Sequence, residues 1–169
     1  MQIQERDALR TAYERDGFLV HRDPLLSPDL VERAIRGMDE VRAGRYETGI
    51  PPEESYWSPG DPPDKLCKIE MPQFADRAVM EVVSHAGIGE IAARITGAEM
   101  VQAFWVQLLV KPPTDPRQSA NTNIGWHQDQ QYWGIWEAGS ELLTAWVALS
   151  DVTSEAGPMR FVPGSHRWG

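Results

Sequence analysis

The sequence predicts a single α+β domain over residues 1–169, with helices gathered in residues 1–98 and a mainly β core built from residues 99–169. Three observations point there. In the first half, apolar residues recur at helical spacing behind recognisable start and stop signals. Beyond residue 99 they alternate with polar ones in short runs separated by Gly- and Pro-rich turns, the period of half-buried strands. The chain also has enough apolar content for one core, with 41% hydrophobic residues and seven tryptophans.

In chain order, residues 5–15 read as a short helix with Leu9, Ala12 and Tyr13 on one side, ended by Asp16-Gly17. Phe18-Leu19-Val20-His21 is a short strand candidate, and His21, beside Arg22 and Asp23, is a surface residue. Ser27-Pro28 starts the second helix. The serine hydroxyl can cap a free backbone N–H, and proline loses nothing at the first helical position. Leu30, Val31, Ala34, Ile35, Met38 and Val41 then trace an apolar face, and Gly44 is the stop. Residues 46–64, with Pro51-Pro52 and Pro62-Pro63, make a long loop that either borders a substrate entrance or simply connects. Residues 66–70 are a strand candidate. Two helices follow over 75–85 and 88–95, with His85 at their junction, favourable near a helix C-terminus, and Gly97 as the last cap. Residues 100–110 form the clearest strand before the motif. Its alternating set Val101, Ala103, Trp105, Gln107 and Leu109 turns inward, where a glutamine needs a partner. A polar loop over 112–123 delivers the chain to Gly125. Further strands are expected over 143–149 and 159–162, the second opened by Gly157-Pro158 and ended by Pro163-Gly164.

Charge and composition exclude several classes. A formal net charge of −9 disfavours nucleic acid or an anionic membrane surface as partner, since both select basic patches. No run of eighteen apolar residues occurs, and Met1-Gln2-Ile3-Gln4-Glu5-Arg6 lacks the apolar stretch of a secretory signal. The lone Cys67 excludes an internal disulfide, reads as a small buried hydrophobe and fits a reducing cytoplasm. The expected partner is a small-molecule substrate.

The candidate chemistry lies in Trp126-His127-Gln128-Asp129. On a strand, residues two apart share a face, so His127 and Asp129 would aim an imidazole and a carboxylate at one point, with Gln128 turned away. One neutral nitrogen and one hard oxygen suit a divalent first-row metal, and are two-thirds of the 2-His-1-carboxylate triad of non-haem Fe(II) sites. A strand histidine hydrogen-bonded to a carboxylate is the simpler alternative. Tyr132, Trp133 and Trp136 follow closely; they either wall a water-excluding pocket or belong to the core.

Longer blocks carry a resemblance. The run Gly125-Trp126-His127-Gln128-Asp129-Gln130-Gln131-Tyr132-Trp133 resembles the metal-binding segment of the phytanoyl-CoA dioxygenase family. Leu143-Thr144-Ala145-Trp146-Val147-Ala148-Leu149-Ser150-Asp151 and Gly157-Pro158-Met159-Arg160-Phe161-Val162-Pro163-Gly164-Ser165-His166 follow in the family's order. Upstream, Asp16-Gly17-Phe18-Leu19-Val20 and Val110-Lys111-Pro112-Pro113 also fit.

The resemblance implies an Fe(II)- and 2-oxoglutarate-dependent oxygenase on a double-stranded β-helix, a jelly-roll barrel with the N-terminal helices packed outside. It implies His127 and Asp129 as iron ligands and catalytic residues, with Gln107, Lys111 and Trp146 near the co-substrate. A strand-edge glutamine and a solvated lysine are the plainer readings of Gln107 and Lys111. It further implies a distal histidine and a 2-oxoglutarate-binding arginine, both C-terminal to the Gly-Ser-His block, after which this chain ends at Gly169; the barrel is therefore expected to be C-terminally incomplete. His166 matches that block's own histidine, either a turn-stabilising residue or a substitute ligand. An exposed barrel edge at 159–162 would invite pairing into an oligomer. The expected reaction is hydroxylation of a small organic or lipid-like substrate by O2, with release of succinate and CO2, because the related iron halogenases lack the Asp129 carboxylate. The competing class is a non-catalytic jelly-roll remnant or binding domain.

Overall fold

The structure is a computed structural model that describes residues 2–112, 124–134, 136–137 and 140–168. Four helices dominate its first part: α1 (Gln2–Asp16), α2 (Pro28–Arg42), α3 (Arg77–Val83) and α4 (Ala86–Thr96). Three short strands, β1 (Glu54–Ser55), β2 (Cys67–Glu70) and β3 (Gln107–Val110), form one antiparallel sheet in the order β1-β2-β3. Among the described residues the sheet does not close, so the expected mainly β barrel is here a small three-stranded sheet beside helices.

The helix starts follow the capping residues. Ser27 Oγ accepts from the Leu30 N–H at 3.2 Å with Pro28 at the first helical position, as its sequence requires. α3 begins at Asp76, whose Oδ1 accepts from the Val79 N–H at 3.0 Å. His85 sits at the junction as expected: its N–H donates to the Val82 carbonyl at 3.2 Å at the end of α3, and as the N-cap of α4 its Nδ1 accepts from the Gly87 N–H at 3.2 Å. α4 ends at Gly97, which takes a left-handed φ of 78° that an L side chain adopts only at a cost.

α2 buries Leu30, Ala34, Gly37 and Val41, a stripe at i, i+4, i+7 and i+11. Ile35, expected on that face, is instead 38% exposed. Leu30 and Ala34 pack with Val82 of α3, and Val147 and Leu149 cover this cluster from the second half of the chain. Arg33 ties the same two helices at the surface, its guanidinium reaching both carboxylate oxygens of Glu81 at 2.8 and 3.1 Å. α1 packs on α4.

Sheet register decides which residues are core. Cys67 pairs with Val110 and Ile69 with Leu108. Directly opposed residues share a face. Cys67, Ile69 and Leu108 are therefore buried together, with Val41, Trp57 and Ala75. Burial pushes the Cys67 thiol above its ordinary pKa, with the Arg42 guanidinium only partly opposing, so it behaves as the small hydrophobe its sequence context predicts. Ile69 is 2% exposed. We expect Ile69→Ala to destabilise the fold by about 3 kcal/mol, as buried Ile-to-Ala changes do. Urea unfolding measures it, and a loss below about 1 kcal/mol would mean that this face is not tightly packed.

Four strand expectations fail for one reason. A strand exists only where a neighbour accepts its hydrogen bonds, and alternation alone does not supply that neighbour. Residues 100–106 run beside a β2 that has already turned into the Pro72–Phe74 3-10 turn, and only the Met71 N–H to Val106 carbonyl bond (2.8 Å) extends the ladder. Residues 18–21, 143–149 and 159–162 have no ladder partner among the described residues, so the edge expected at 159–162 is not a strand edge. The long loop over 46–64 holds β1, with Glu54 opposite Glu70. The loop expected over 112–123 lies, apart from Pro112, outside the described residues. No helix among the described residues is long and apolar enough to cross a membrane.

Candidate metal centre

The His127 and Asp129 side chains meet, but not on a strand. Residue 127 is in an irregular segment, and Asp129 opens a 3-10 turn (Asp129–Tyr132) closed by bonds such as Trp133 N–H to the Gln130 carbonyl, 3.1 Å. The turn replaces the alternation argument yet brings the two groups together. His127 Nε2 lies 3.4 Å from Asp129 Oδ1.

Each group is also held from its far side. His127 Nδ1 lies 2.8 Å from the Gly125 carbonyl oxygen, which can only accept, so Nδ1 donates to it. Thr144 donates its hydroxyl to Asp129 Oδ2 at 2.6 Å, leaving Oδ1 on the His127 side. The Tyr132 ring meets the imidazole edge-on at a centroid distance of 5.8 Å. Between the two, Gln128 turns away and donates its side-chain amide to the Ser165 carbonyl at 2.8 Å.

This donor set fits a divalent first-row metal. Two ligands at about 2.1 Å in adjacent octahedral positions lie about 3 Å apart, close to the separation seen. Outer partners that fix the ring tautomer and the free carboxylate oxygen are what ligating histidine and carboxylate groups ordinarily have. Among the described residues no cluster of three His, Cys, Asp or Glu side chains is positioned to hold a metal ion, so the pair is what this part of the chain supplies.

The other predicted site residues have partners of their own. Gln107 lies opposite Glu70 in the β2–β3 ladder and donates its amide to Glu70 Oε1 at 3.2 Å. Glu70 is 3% exposed and also accepts from Trp105 Nε1 at 2.6 Å and from Lys68 Nζ at 2.9 Å. The glutamine's required partner is thus a buried carboxylate one strand away. Lys111 donates from Nζ to the Gly157 carbonyl at 3.1 Å, so it is a tether to the third block, not a solvated lysine. Trp146 is 47% exposed on a segment whose Val147 and Leu149 face the helices. Val101, Ala103, Trp105, Gln107 and Leu109, expected to turn inward, are exposed, and Leu108 is buried instead.

The aromatic residues after the motif do not form a core. Tyr132 is 70% exposed, and Trp136 meets Phe104 edge-on at 4.8 Å. His166 is a turn residue: its Nε2 donates to the Glu14 carbonyl at 3.1 Å. His21 is exposed, with Nδ1 2.9 Å from the Asp23 carbonyl oxygen. Thr144, Glu70 and Gln128 were missed from sequence. Thr144 had a signal, since it stands two residues from Trp146 in a block already singled out; Glu70 had none, because Trp105 and Gln107, the residues it joins to the sheet, lie 35 and 37 positions away.

A histidine nitrogen and a carboxylate oxygen 3.4 Å apart, each side chain held from its far side, make up the candidate site. Comparison with known proteins assigns the chain to a family. A model of the phytanoyl-CoA dioxygenase family matches residues 13–169, and the chain belongs to that family. Among curated proteins, a dioxygenase of Aspergillus hancockii is 25% identical over 95% of this chain and 54% of its own length. The ectoine dioxygenase of Bordetella parapertussis is 27% identical over 92% of this chain and 48% of its own. A dioxygenase of Aspergillus aculeatus is 26% identical, with coverage of 92% and 52%. The chain thus spans about half the length of the curated relatives it matches. No solved structure matches it significantly.

Proposed function

We propose that this chain carries the first half of the active site of an Fe(II)- and 2-oxoglutarate-dependent dioxygenase that hydroxylates a small organic or lipid-like molecule. The carrying observation is the His127 Nε2 to Asp129 Oδ1 approach at 3.4 Å, with Nδ1 held by Gly125 and Oδ2 by Thr144. Family membership and the dioxygenase relatives support it. When bound, iron would supply the activation of O2, and 2-oxoglutarate the two electrons beyond those of the substrate C–H bond. The balance is substrate C–H, O2 and 2-oxoglutarate to C–OH, succinate and CO2.

The chain's own residues have defined tasks. His127 and Asp129 would hold the metal. The Gly125 carbonyl anchors the ring through Nδ1, so Nε2 is the nitrogen turned toward Asp129 and the metal position. Thr144 keeps one carboxylate oxygen from swinging away. On the open face of the sheet, Gln107, held by Glu70, and Lys111, held at Gly157, are the polar groups we assign to the co-substrate side, with Trp146. We place the protein in the cytoplasm, acting on a small molecule and on neither nucleic acid nor membrane.

The test is an anaerobic titration of the chain with Fe(II) and 2-oxoglutarate, followed at the visible charge-transfer band of the chelated co-substrate. A band that disappears in His127→Ala supports the assignment. Its absence from the unaltered chain would instead support a non-catalytic binding domain.

A further inference from the structure

We infer that Gln128 is a positioning residue that registers the His127/Asp129 pair on the C-terminal end of α1, through the Gly164-Ser165-His166 turn. The inference rests on the metal-centre reading above and concerns how that centre is held in place.

His127 has no regular structure and Asp129 opens a 3-10 turn, so no strand ladder fixes the position of the pair. Gln128 provides the fixed point, its Nε2 donating to the Ser165 carbonyl at 2.8 Å. Ser165 in turn is part of a clamp on α1. Gly164 N–H donates to the Asp16 carbonyl at 2.9 Å, and His166 Nε2 and Arg167 Nη2 both donate to the Glu14 carbonyl, at 3.1 and 2.6 Å. Phe161 stacks on Phe18 at 4.7 Å.

These bonds satisfy carbonyls that the last turn of a helix leaves without partners, and they bring the Arg167 guanidinium to its negative end. The clamp has little slack. Gly17 has φ +82°, and any side chain there would run into the His166 ring, whose Cγ lies 2.7 Å from the position a Gly17 Cβ would take. Three separate sequence blocks (Asp16-Gly17-Phe18, Gln128, and Phe161 to Arg167) therefore form one continuous connection. It ends at the two metal-facing groups.

The experiment compares the unaltered chain with Gln128→Met, which keeps length and loses the donor, and with Arg167→Met, which loosens the far end of the clamp. Two readouts are taken on each: the ring resonances of His127 by NMR without metal, and the affinity for Co(II) followed by visible absorption. We expect both variants to shift the His127 resonances, to weaken Co(II) binding about fivefold, as loss of one net hydrogen bond does, and to combine less than additively. Thermal midpoints monitor global folding, and Arg167→Met carries the test if Gln128→Met unfolds. Unchanged His127 resonances and Co(II) affinity in the folded variants overturn the inference. A shift in His127 in a chain that binds no Co(II) leaves the positioning role standing and removes the metal reading instead.

Discussion

Asp129→Ala is expected to lower metal affinity by at least about 100-fold, and with it the charge-transfer band and any hydroxylation. The carboxylate is the only hard oxygen the described residues bring to His127 Nε2, and no neighbouring acid is placed to replace it. Thr144→Val should act in the same direction but less strongly. It removes the hydroxyl at 2.6 Å from Oδ2 while leaving both donor atoms in place. An outer partner of this kind contributes about 10-fold to 100-fold in affinity. The graded series, unaltered chain above Thr144→Val above Asp129→Ala, is measured by equilibrium dialysis against Fe(II) under anaerobic conditions. Equal binding by Asp129→Ala and the unaltered chain would remove Asp129 from the site. Equal binding by Thr144→Val would reduce Thr144 to a surface hydrogen bond.

Gly37→Ala is the second change with a large expected effect, and its sign is opposite to what helix propensity suggests. In an exposed helix interior, replacing glycine by alanine gains about 1 kcal/mol. Gly37, however, is buried where α2 crosses α3. A methyl group there would overlap the Asp76 carboxylate, with Oδ2 only 2.6 Å from the built carbon. That carboxylate is short, 7% exposed and engaged as the N-cap of α3 through Val79. It can move only by giving up the cap, worth about 1 kcal/mol, and by prying the helices apart, as overpacked cores do at about 1–3 kcal/mol. The net expectation is a loss of about 1–3 kcal/mol, seen as a lower urea midpoint. Combining it with Asp76→Ala should recover part of the loss, because the smaller residue vacates the space. A more stable Gly37→Ala would show that the two helices are not in such close contact.

The same residue illustrates how far sequence reading reaches. The apolar stripe of α2 and its Ser27-Pro28 start were legible, since capping and helical spacing act within a few residues. Gly37 was not, because its role is to make room for Asp76, which lies 39 positions along the chain and takes its place by helix packing. The Glu70 carboxylate under Gln107 and Trp105 was hidden for the same reason.

What the sequence determined by itself was local: the helices with the Ser27-Pro28 start and the Gly97 stop, the buried Cys67, the β2 strand, the approach of His127 to Asp129, and the blocks that mark the family. Tertiary structure decided which alternating runs became strands, because a strand needs a neighbour and alternation does not specify one. It left 143–149 and 159–162 outside the sheet, yet used Val147 and Leu149 to cover the helices and Phe161 to stack on Phe18. It also placed His127 and Asp129 at a 3-10 turn instead of on a strand, and supplied the groups that hold them, Gly125, Thr144 and, through Gln128, Ser165. The His127–Asp129 approach follows from two residues close in sequence; the support around it comes from residues up to 37 positions away, which only the folded chain brings together.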